Sequence, residues 1–211
     1  MGLVQSIPIL VRRPALVSSA LAPVFFIGGT IVAELLSPEF DPVRQTISEL
    51  AAVDAPTQIF MTLMFVLTGA CHLVTAAYAP GLWLPGRIAL GLAGVALFAV
   101  AAFPLPAEGM SLEHRLAAMA GFVLLALWPV LSMRRGREYP WLLRPVGAVL
   151  STVVVGATCV AFAVIESQPD ATLVGFAERV AAYLESLWPA VVVLVMWRYR
   201  QRQTPELPIA R

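Results

Sequence analysis

The chain has 211 residues, 59% of them hydrophobic, and only 13% are charged, about half the share of a soluble domain. Its mean hydropathy of +0.83 and several apolar runs long enough to cross lipid exclude a soluble domain. The net charge of +1, with no basic tract, excludes nucleic acid as a partner.

These limits give an all-α, polytopic membrane protein, with residues 1–211 forming a single integral membrane domain. All fourteen basic residues are arginine, which points to a GC-rich bacterial genome and carries no chemistry. Cys71 and Cys159 both fall inside apolar runs, where a cysteine behaves as a small hydrophobe, so no disulfide framework is expected.

At the N-terminus, "MGLVQS" fits a myristoylation pattern by chance, and "VRRPALV" precedes a run too long for a signal segment. That run is read as an uncleaved first span. Six spans are expected, at 15–36, 57–78, 85–103, 116–133, 145–165 and 176–197. Each is long enough for a hydrocarbon core of about 30 Å. Pro14, Pro56, Pro85 and Pro145 mark span edges, whereas Pro23, Pro129 and Pro189 lie within spans and should bend them.

Arginine distribution sets the expected orientation. Eleven lie at the N-terminus (Arg12, Arg13), at Arg87, in the loop with Arg134, Arg135, Arg137 and Arg144, and in the tail (Arg198, Arg200, Arg202, Arg211). Only Arg44, Arg115 and Arg179 lie on the other side, which makes both termini cytoplasmic, in a bacterial plasma membrane. The acids mirror this split. Glu138 and Glu206 are the two on the cytoplasmic side, and Glu34 sits near the outer end of span one.

The first outer loop holds "FDPVRQTISELAAVDAP" (40–56), the most patterned polar stretch. Asp41-Pro42 is a helix-start signal. From there Val43, Ile47, Leu50 and Ala51 fall at helical spacing on one face, with Arg44 and Ser48 opposite. A short amphipathic helix on the outer surface or over the bundle mouth is expected.

Four segments taken together carry a family resemblance: "DPVRQTISELAA", "GACHL" in the second span, "FPLP" followed by "EHRLAA", and "GFAERVAAY" opening the last span. In this order they resemble the bacterial six-helix membrane family known as domain of unknown function 998, over about residues 15–197. The resemblance implies six helices and membrane residence, and it brings no established reaction. Ile47, Ser48 and Glu49 also give a weaker likeness to eukaryotic autophagy-modulator and GPI-anchor-maturation membrane proteins, which are linked to lipid handling.

Charged groups inside the spans mark the candidate site. Glu178 and Glu185, seven apart, share a face of span six, and Glu185 lies about 14 Å below the start of that span. An acid at such depth must be paired, protonated or facing a watery cavity. An outward-opening polar pocket is therefore expected from Arg44, Ser48, Glu49, His114, Arg115, Glu178, Arg179 and Glu185. His72 is placed separately, about 22 Å below the outer end of span two, as an interhelical hydrogen-bonding residue or a proton relay.

Three functions fit these residues. The first is binding of a membrane lipid or small amphiphile, with the arginines neutralising a phosphate or carboxylate, or the acids taking a cationic group. The second is an accessory subunit or homo-oligomer in an envelope complex, supported by small residues at Gly91, Gly94, Gly147, Ser151 and Gly156. The third is a membrane-embedded hydrolase. The chain has two histidines, expected at opposite ends, and no HxxxH or HExxH pair, so neither a metal nor a cofactor is expected.

Overall fold

The computed structural model describes residues 10–107, 109 and 111–203. The "MGLVQS" segment, Glu206 and Arg211 lie outside them. Among the described residues, six helices are long and apolar enough to cross a membrane, and there is no strand. The chain is a multi-pass membrane protein.

The first helix, α1, runs Arg13–Leu35. Pro23 has no N–H to give to the preceding turn. The helix widens there into a π turn, Val24–Gly28, and resumes at Gly29. The Thr30 hydroxyl donates to the Phe26 carbonyl (2.8 Å), which holds the resumed turn against the widened one.

After α1 the loop containing residues 40–56 crosses the end of the bundle. The remaining helices are α2 (Gln58–Tyr78), α3 (Leu84–Ala102), α4 (Leu112–Leu131), α5 (Pro145–Glu166) and α6 (Val174–Gln203). Helices adjacent in sequence pack side by side, and α1 closes against α6. The result is an up-and-down ring in chain order.

The two larger of three apolar clusters among the described residues hold the two ends of the ring. At the end near the chain termini, Leu10, Val11, Leu82, Leu90, Trp128, Leu143, Val193 and Met196 pack together. At the loop end, Ile47, Leu50, Phe26, Met61, Phe65, Val100 and Ala182 do the same. Gly69 of α2 and Gly94 of α3 face one another so closely that a Cβ on either would fall against the other's carbonyl oxygen. Large apolar side chains such as Ile59, Val146, Val153 and Val160 point outward, as lipid-facing residues do.

The fourth and sixth spans differ from expectation at their ends. Ser111 Oγ accepts the His114 backbone N–H (3.1 Å), so α4 starts at Leu112 and not at 116. Glu113, His114 and Arg115 thus occupy its first turn. The last helix, α6, extends two residues earlier and several residues further than the apolar run alone implied.

The first loop also departs from the expected helix. Asp41 makes one turn, with its carbonyl accepting from Gln45 N–H (2.8 Å) and its carboxylate from Val43 N–H (2.9 Å). Thr46 then takes an extended conformation (φ −77°, ψ 158°), and a 3-10 helix follows at Ile47–Ala51. The break has a local and a tertiary cause. Thr46 and Glu49 form a capping box, and the freed Ile47 N–H donates to Glu178 at 2.5 Å. Ile47, Leu50 and Ala51 are buried as the pattern implies, while Val43 is exposed.

Candidate functional site

The ring encloses a cavity of about 70 Å³ at the loop end of the bundle. Its walls come from single helix faces. The second helix presents Phe65, Thr68 and His72, and α4 presents Ala118, Gly121, Phe122 and Leu125. Opposite them, α6 presents Glu178, Ala182, Glu185 and Ser186, and α3 adds Ala96, Leu97 and Val100. Each set follows i, i+3, i+4 or i+7 spacing, so the cavity is the seam where these faces meet. Phe26, carried by the π turn of α1, and Ile47 with Ser48 of the 3-10 helix complete the lining.

Polar groups stand at two levels in this mostly apolar space. Ser48 and Glu178 mark the loop end. Deeper lie Thr68, His72, Glu185 and Ser186. Glu185 is buried, and its Oε1 accepts from the Cys159 thiol of α5 at 3.1 Å. The Thr68 hydroxyl donates to the Met64 carbonyl (2.8 Å). His72 Nδ1 and Ser186 Oγ are buried without a hydrogen-bond partner.

Of the residues expected to build an outer pocket, only Ser48, Glu178 and Glu185 line the cavity. Glu49 is occupied in the loop, accepting from Thr46 N–H (2.9 Å) and from Gln45 Nε2 (3.0 Å). Arg44 is exposed, 3.6 Å from the Asp41 carboxylate. Arg115 is exposed on the first turn of α4. His114 is buried with its Nδ1 2.8 Å from the Phe103 carbonyl, tying α4 to the end of α3.

Arg179 is the hub of a separate network. Its Nε donates to Glu34 at 2.8 Å, and Nη1 donates to the Gln45 and Gly175 carbonyls at 2.8 and 2.9 Å. The guanidinium also stands 5.5 Å from the Phe40 ring centre. Glu34, expected as an intramembrane polar residue near the outer end of span one, is the partner of this arginine, with Nη2 at 2.7 Å. The network pins the loop between α1 and α6.

His72 lies at about the expected depth in the second span. The sequence reading sets it apart from the acids, and the fold brings it into the same lining as Glu185. At 1.5 Å per residue His72 lies about 21 Å into α2 and Glu185 about 16 Å into α6. A cavity running along the bundle axis spans that offset. Thr68 and Ser186 were not singled out by the sequence. Their signal was present in spacing: Thr68 is one turn before His72, and Ser186 is next to Glu185.

Among the described residues, no group of three or more His, Cys, Asp or Glu side chains is placed to hold a metal ion. The cavity's ionisable groups are two carboxyls and one imidazole, with no arginine in the lining. It therefore offers a few hydrogen-bonding groups within apolar walls.

A protein-family model described as "Protein of unknown function (DUF998)" matches residues 20–195. The chain belongs to this family. The DUF998 match runs from within α1 to within α6, so it includes the whole cavity lining and the 40–56 loop. No curated protein and no solved structure matches the chain.

Proposed function

We propose that this DUF998 protein binds a membrane lipid or small amphiphile in the central cavity, with the 47–51 helix as part of its outer wall. The composition of the lining carries the reading: apolar faces of four helices surround a few convergent polar groups, the usual make-up of a small-molecule site. The buried acid and imidazole add to it, because ionisable groups at membrane depth are costly unless they serve a partner. The ligand's apolar part lies against Phe65, Val100, Phe122 and Leu125, and its head meets the polar groups. Arg44, Arg115 and Arg179 stand outside the lining, so a phosphate or carboxylate head has no counter-ion there.

The arginine asymmetry supports cytoplasmic termini and a cavity whose loop end faces outward from a bacterial plasma membrane. A second reading, an accessory subunit of an envelope complex, draws on the Arg179 network, whose charges are met within the chain.

The test is to purify the protein in nanodiscs and identify retained lipids by mass spectrometry, for wild type, Ala182→Leu and Arg115→Gln. A specific amphiphile should be retained by wild type and by Arg115→Gln and lost when leucine fills the cavity. Equal retention of bulk lipid by all three proteins would refute the binding reading and favour a structural subunit.

A further inference from the structure

We propose that the deep end of the cavity selects a primary-amine headgroup; this rests on the amphiphile-binding reading above and names the ligand class. His72, Glu185 and Ser186 are 1%, 2% and 3% exposed, so bulk water does not serve them. The thiol of Cys159 is spent on Glu185, and the Thr68 hydroxyl hydrogen is spent on Met64. What remains toward the cavity is the Glu185 carboxyl, the acceptor oxygen of Thr68, and two buried groups with no partner, His72 Nδ1 and the Ser186 hydroxyl.

An alkylammonium is the complement of that set. It brings three N–H donors, and it supplies the cation that the buried Glu185 carboxyl does not have in the lining. The alternatives match less well. A carboxylate or phosphate finds no cation in the lining. An alcohol supplies one donor for several acceptors. A quaternary ammonium supplies charge with no N–H at all.

The test compares dodecylamine, dodecanol and dodecanoate on the protein in zwitterionic nanodiscs, by calorimetric titration against empty nanodiscs. Wild type should bind dodecylamine at least about ten-fold more tightly than either analogue. Glu185→Gln, which keeps shape and an acceptor for Cys159, should reduce that preference about ten-fold. Ser186→Ala, a smaller change, should reduce it in the same direction and serves if the first variant does not fold.

Equal binding of dodecanol or dodecanoate, or a preference unchanged in Glu185→Gln, overturns the amine assignment. If that equal binding is abolished by Ala182→Leu, the amphiphile cavity stands and only the headgroup assignment falls. If none of the three binds wild type above empty nanodiscs, both fall.

Discussion

Glu178 and Arg179 are neighbours on α6, and they meet the first loop at different points for different reasons. Glu178 accepts the Ile47 N–H at 2.5 Å, a donor that the start of a short helix leaves open. Glu178→Ala removes that acceptor from a buried donor, and it should destabilise the protein by about 1–3 kcal/mol in detergent unfolding. Arg179 instead answers the Glu34 carboxylate and two backbone carbonyls. Arg179→Ala leaves Glu34 three-quarters buried without a counter-charge, at an expected loss of about 3 kcal/mol. Adding Glu34→Ala to that variant should restore part of the loss, because the two residues share one interaction. A double-mutant loss equal to the sum of the single losses would show that the pair is not coupled.

At the scale of elements, the loop and α6 are joined by backbone as much as by side chains. Phe176 N–H donates to the Val43 carbonyl (3.0 Å), and Gly175 lies so close to the Gln45 and Pro42 carbonyls that a Cβ has no room. Gly175→Ala should push the loop off α6 at an overpacking cost of about 1–3 kcal/mol. Hydrogen exchange would show it as faster exchange at Ile47 and Phe176 with the other helices unchanged.

This junction also shows the limit of pattern reading. The apolar positions Ile47, Leu50 and Ala51 were legible because they are buried whichever helix type forms. The turn at Thr46 was not, because it depends on Glu178, 131 positions away. For the same reason α2 and α6 could be drawn as separate spans, while the shared cavity of His72 and Glu185 depends on how the ring closes.

For the whole molecule, hydropathy and length were enough to place all six helices, since each must satisfy its own backbone in lipid. The ends of α4 and α6 were harder, because polar residues continue both helices beyond the apolar run. The arginine asymmetry gives a test of orientation. A fluorescent protein fused at the C-terminus should fold and fluoresce, and a periplasm-dependent reporter fused there should stay inactive; the reverse result would invert the bundle. The α6–loop junction has a further consequence for synthesis. The loop emerges after the first span, but its partners Gly175, Phe176, Glu178 and Arg179 belong to the last. Five inserted spans therefore leave an open vestibule with an untethered rim, and a nascent chain stalled before residue 174 should be cut by protease in the 41–52 stretch. Release of the sixth span closes the chamber, so the cavity is the last part of this protein to come into being.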